Sequence, residues 1–183
     1  AIIAPDTSPR GLGYPGEDES YDFGTGAGFY LDATQAPWST GYRMYSYISR
    51  ELPALINEHF PVDASKAGIF GHSMGGHGAL TLFFKHSEQY KSVSAFSPIA
   101  APSQVPWGQK AFTRYLGGNE TQWKNHDACD LISSVQNPST NSEILIDQGT
   151  GDNFLAEQLD ASNFLKACVN SGQSVTYRSQ DGY

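Results

Sequence analysis

Cysteine, basic side chains and long apolar runs are what this 183-residue sequence has least of, and each scarcity closes off a class of function. Eleven Lys and Arg against 19 Asp and Glu leave a formal charge of −8, so the clustered cations that grip a phosphate backbone are missing and nucleic acid is excluded as a partner. No apolar stretch approaches the length of a bilayer span, so no membrane-crossing helix is expected. The two cysteines, Cys129 and Cys168, lie far apart without metal-ligand spacing. They read as reduced structural thiols of a reducing, cytoplasmic setting, and no metal or cofactor is expected.

What is present is a chain long enough for one substantial core, with 39% hydrophobic residues, read as a single domain over 1–183. Its organising stretch is Ile69-Phe70-Gly71-His72-Ser73-Met74-Gly75-Gly76-His77-Gly78-Ala79-Leu80. An apolar run enters Gly-x-Ser-x-Gly and leaves as a small-residue segment able to form a helix, which is the order of a nucleophile elbow. Ser73 is the candidate nucleophile. A Cβ at Gly71 or Gly75 is expected to collide with the neighbouring strand or helix, and the strained turn lifts the hydroxyl into the open. The N–H of Met74, at the new helix's start, would face a tetrahedral oxyanion. A glycine-rich strand-to-helix turn without chemistry is the alternative.

Along the chain, Ala1–Pro5 reads as the body of a buried strand. Asp6 to Gly41 is a long loop, too rich in Tyr, Phe and Trp for disorder, that folds over the domain as a site wall or an edge cover. Tyr42 to Phe60 carries one apolar helical face against a sheet, with a kink or restart at Pro53. A helix runs from Met74 to about His86 with Ala79, Leu80, Leu82 and Phe83 inward, and Ser92–Phe96 is the next strand. Three prolines make Ser97 to Gly108 a loop. Short helices occupy Gly108 to Leu116, Glu120 to His126 and Asp130 to Val135. Glu143–Gln148 is a buried strand ending in the polar loop Gly149–Phe154. Leu155 to Asn170 is a helix stopped at Gly172, before a last strand, Val175–Ser179.

Strand and helix alternate, so the fold class is α/β with a mostly parallel sheet and helices on both faces. Chemistry then gathers beyond the carboxyl ends of the strands. Ser73 follows one strand there and Asp152 a later one, in the chain order of an α/β-hydrolase triad. Asp147 lies within its strand and Asp160 in the following helix, so Asp152 is the candidate acid. The base should be a histidine after Asp152, yet His59, His72, His77, His86 and His126 all precede it. Each is read as a packing or helix-end residue. Both ends stop abruptly at strands, so the expectation is a fragment lacking N-terminal strands and a C-terminal helix, with the base just past Tyr183.

Taken together, Ala4–Gly11, Gly28–Gln35, Tyr42–Tyr47, Phe70–Leu80, Pro106-Trp107-Gly108, Ile146–Gly149, Asp152 and Phe154-Leu155 closely resemble the S-formylglutathione hydrolase, or esterase D, family of α/β-hydrolase thioesterases. The resemblance implies Ser73 as nucleophile, Asp152 as the acid that orients the histidine and Met74 as a backbone oxyanion donor. It implies a family ending of Asp/Glu-Gly-Tyr-Asp-His, of which Asp181-Gly182-Tyr183 is the start, and an upstream Gly-Leu-Thr-Cys loop supplying a second oxyanion donor. The implied substrate is a small molecule, S-formylglutathione or a short acyl ester, with no membrane partner and with a homodimer open. A broader carboxylesterase or acyltransferase on the same fold, and a non-catalytic α/β-hydrolase-like binding module, stay as alternatives. With no base within it, the 183-residue chain alone is expected to be inactive.

Overall fold

In the computed structural model, which describes residues 1–134 and 143–183, the sheet is wholly parallel, with β1 (Ala67–His72), β2 (Tyr90–Phe96), β3 (Glu143–Gly149) and β4 (Thr176–Gln180) side by side in chain order. Register is set by apolar side chains that must share one face: Ile69 pairs with Val93, Val93 with Ile144, and Ala95 with Ile146. Against that face lie α3 (Met74–Lys85), α6 (Ala128–Ser134) and α7 (Ser162–Ser171), closing a core with Leu80, Leu82, Ile132 and Phe164. The four residues of α3 expected to face inward are all buried.

The opposite face is open among the described residues. Phe70 of β1 is 59% exposed and Phe96 of β2 37%, and no second helical layer covers them. The parallel α/β architecture is as expected, with its described helices on one side.

Several local expectations are corrected. Ala1–Pro5 forms no strand and is largely exposed: apolar composition alone does not make a strand, which needs a neighbour to take its backbone hydrogen bonds. The helical segment after Tyr42 runs as α1 (Met44–Ser46), a widened π turn (Tyr47–Glu51) and α2 (Leu52–His59). The wide turn lies just ahead of Pro53, which has no N–H to give to a normal turn. Beyond it the apolar stripe is not buried, and Leu55 is half exposed. The loop after β2 already contains a 3-10 turn, Pro102–Gln104, and α4 (Pro106–Leu116) starts two residues early because Pro106 takes the first helical position, where a missing N–H costs nothing.

α5 (Glu120–Trp123) continues as a 3-10 turn through His126. α6 begins at Ala128, behind an Asp127 carboxylate that accepts the N–H of Cys129 at 2.8 Å; Val135, the expected end of that helix, lies outside the described residues. The helix expected from Leu155 divides into a π turn (Leu155–Leu159) and α7, the break falling where Asp160 accepts the N–H of Ser162. Gly172 ends α7 in the left-handed conformation, as its position predicts.

The long loop is ordered and builds a second core. Phe23, Phe29, Trp38 and Tyr42 pack with Phe112 and Tyr115 of α4, with the Phe23 and Tyr115 rings stacked at 4.4 Å. Buried Glu17 anchors it, accepting the N–H groups of Gly13 and Tyr14 and the hydroxyl of Tyr42. Cys129 and Cys168 are both buried and free, and burial pushes each thiol's pKa up.

Candidate active site

β1 enters the turn, Ser73 forms its apex, and α3 starts at Met74. Ser73 has φ +55° and ψ −116°, a conformation that a residue with a side chain adopts only when its surroundings impose it. They do so from both sides. The Ser73 N–H donates to Phe96 O at 2.9 Å, and its carbonyl accepts from Ile99 at 3.2 Å and from His77 at 3.1 Å, the last being the first bond of α3.

Of the elbow glycines, Gly71 behaves as expected: an added Cβ would sit 2.2 Å from the carbonyl oxygen of Gly75. Gly75 does not. A Cβ there meets only the Tyr30 hydroxyl at 3.9 Å, because this side of the helix faces a groove and not a neighbouring element. The close approaches belong one and three residues further on, where Gly76 would strike Pro98 at 2.8 Å and Gly78 the Tyr30 ring at 2.4 Å.

Ser73 is half-buried, and its Oγ makes no hydrogen bond among the described residues. It borders an open groove of about 1120 Å³ lined also by Met74, Tyr30, Ile48, Leu52 and Phe70. Met74 opens α3, so its N–H is a first-turn amide with no intrahelical acceptor and stands at the positive end of the helix.

Asp152 emerges past the carboxyl end of β3, on the same rim of the sheet as Ser73. One strand separates the two, so their backbones stand on the order of 10 Å apart, room for one bridging side chain. Asp152 Oδ1 accepts the N–H of Phe154 at 2.9 Å, which fixes the carboxylate, and Oδ2 has no partner among the described residues. The competing acids are engaged elsewhere: Asp147 pairs with Arg178, and Asp160 holds Ser162. The end of β4 comes to the same place. Tyr183 O accepts the N–H of Gly151, the residue before Asp152, at 2.6 Å, and Gln180 O accepts that of Thr150 at 2.9 Å.

Three of the five histidines, His77, His86 and His126, are engaged in the fold. His77 is buried with Nε2 3.1 Å from Phe29 O, and burial lowers its pKa to about 4. His126 is lowered by burial to about 3, His86 meets the Tyr45 hydroxyl at 2.8 Å, and His72 turns to the open face of the sheet. Tyr30, whose ring lies against Gly78 beside the elbow, and Ser97 both take positive φ, a feature with no sequence signature.

A parallel α/β sheet with a serine held at positive φ between a strand and a helix, and an acid two strands along the same rim, defines the α/β-hydrolase class. The chain belongs to the family described as "Putative esterase", whose model matches residues 1–183. It is 55% identical over 183 residues to the S-formylglutathione hydrolase of Rattus norvegicus and 53% over 184 residues to that of Arabidopsis thaliana. Each comparison takes in 100% of this chain and 64% of the relative, so the chain spans 64% of the length of these relatives. The solved structure of an S-formylglutathione hydrolase from Agrobacterium tumefaciens matches with a TM-score of 0.92 at 49% identity, over 98% of this chain and 64% of that one. Among the described residues no helix is long and apolar enough to cross a membrane.

Proposed function

We infer that the protein is a serine thioesterase that hydrolyses S-formylglutathione to formate and glutathione. The observation that carries this is the unbonded hydroxyl of Ser73 at a turn clamped into positive φ, on the rim where Asp152 emerges. The names of the relatives that match all of this chain support the substrate.

Ser73 Oγ attacks the thioester carbonyl and gives its proton to a histidine. The oxyanion so formed is held by the Met74 N–H. Collapse breaks the C–S bond, the histidine returns the proton to the departing thiolate, and a formyl-serine remains. Water, deprotonated by the same histidine, then releases formate. Asp152 Oδ2 holds the histidine in the required tautomer. The reading assigns that role to a histidine following Tyr183, supported by the bond from the Gly151 N–H to the Tyr183 carbonyl beside Asp152. A cytoplasmic setting and a homodimer belong to the same proposal.

Pre-steady-state kinetics test it. The full-length protein should release a burst of thiol stoichiometric with active sites, and Ser73→Ala should abolish it, lowering turnover by about 10⁶. No burst, or an S73A variant of undiminished activity, overturns the mechanism.

A further inference from the structure

The proposed nucleophile and the loop of the proposed acid follow β1 and β3, with β2 between them, so their relative placement depends on what crosses the end of β2. The chain leaving β2 does this. Phe96 and Ile99 clamp the backbone of Ser73, and between them stands Ser97 at φ +40°. Ser97 is held by β3 twice: its N–H donates to Asp147 O at 2.8 Å, and its Oγ accepts from Gln148 Nε2 at 3.3 Å. The same Nε2 donates to Gly149 O at 3.1 Å, at the root of the loop that carries Asp152.

Gln148 is 1% exposed. Gly149 O can only accept, so the amide nitrogen must face it and Oε1 must turn away, where it finds no donor among the described residues. A buried acceptor left unpaired costs about 1–3 kcal/mol. Leucine or methionine would fill the same space and remove the orphaned oxygen, but would take away the donor that Gly149 O and Ser97 Oγ now have, so it is the amide and not the volume that the position uses. An orphaned carbonyl and a serine at positive φ meet at one hydrogen bond, beside a third unfavourable feature, the φ of Ser73; such concentrations mark places where function sets the structure.

We propose that Gln148 is a positioning residue of this hydrolytic site, whose side-chain amide ties the backbone clamp around Ser73 to the loop bearing Asp152. The role rests on the reading of Ser73 and Asp152 as members of one catalytic group. Neither Gln148 nor Ser97 need touch substrate; they fix the distance that a bridging histidine spans, and small displacements there are costly to rate and not to binding.

The test is made in the full-length protein. Labelling of Ser73 by a fluorophosphonate in the parent is read first, and a parent that does not label overturns the underlying reading and this inference with it. With labelling established, Gln148→Met keeps volume while removing both Nε2 bonds and the orphaned oxygen. Its kcat for S-formylglutathione and its labelling rate should fall about tenfold, with KM within about twofold and the urea midpoint little changed, since the donor lost to Gly149 O and Ser97 Oγ offsets the orphaned oxygen removed. Ser97→Ala should lower kcat alike, and the double variant should be no slower than either single one. A folded Q148M with kcat within twofold of the parent, or losses that multiply in the double variant, overturns the proposal. If Q148M does not fold, an undiminished kcat in S97A overturns it alone.

Discussion

A buried imidazole is neutral for a reason that pH can expose. His77 sits in the core with Nε2 against Phe29 O, between the rings of Phe29 and Phe112, and desolvation lowers its pKa from 6.5 to about 4. Asp127 opposes that shift and Lys85 assists it, so burial decides the sign. Unfolding lets His77 take up a proton at its ordinary pKa. The stabilisation is therefore complete above pH 6.5 and is lost as pH falls from there towards 4, by on the order of 3 kcal/mol. His126, lowered by burial to about 3 with the Lys85 charge assisting, adds to the same loss and extends it to lower pH. Urea midpoints measured from pH 7.5 to 4.5 should fall across this range, and His77→Gln should flatten the fall by about half. An equally steep profile in H77Q would place the acid sensitivity elsewhere.

At the scale of elements, the loop before Tyr42 is held by one carboxylate. Glu17 Oε2 takes the N–H groups of Gly13 and Tyr14, Oε1 takes the Tyr42 hydroxyl, and its own carbonyl accepts Thr25. Glu17→Leu would leave the buried Tyr42 hydroxyl unpaired and release the more exposed N–H groups of Gly13 and Tyr14 to solvent, and should cost about 3 kcal/mol, a hydrogen bond to a charged group being worth 1.5–3. Limited proteolysis should then cut between Gly11 and Gly26 before the sheet opens, and a variant no more susceptible than the parent would show that the aromatic packing alone suffices. The aromatic richness of this loop made its order legible from sequence, as period and small residues made β1, the elbow and α3 legible. Glu17 was not, because a lone acid in a Gly- and Asp-rich stretch looks like any solvated charge. The π turns before Pro53 and after Phe154 were invisible for a related reason: each preserves an apolar spacing close to a helix and differs only in which carbonyl an amide finds. At the elbow the pattern placed Ser73 at the apex of the turn but misassigned Gly75, since Gly-x-Ser-x-Gly cannot say which side of a turn faces a groove and which faces Pro98.

For the whole molecule, the open sheet face and the meeting of two loop ends bear on the same question. Phe70 and Phe96 stand exposed on the open face, and the groove beside β1 reaches Ser73. At the other side of the site the carbonyl of Tyr183 is already bonded to the residue before Asp152, so whatever residue follows Tyr183 starts within a few ångströms of the acid. No histidine within residues 1–183 follows Asp152; of those that precede it, His77 and His86 are engaged in the fold and His72 lies on the open face of the sheet. A polypeptide limited to these 183 residues should therefore bind a hydrophobic dye through the open face and hydrolyse S-formylglutathione slower by on the order of 10⁶ than one that continues as the relatives do. Extending the chain past Tyr183 should restore turnover if the base lies where it is proposed, and dye binding then reports separately on the open face. Robust turnover by the purified 183 residues would mean that a histidine before Asp152 serves as base, and the assignment of that role beyond Tyr183 would fall.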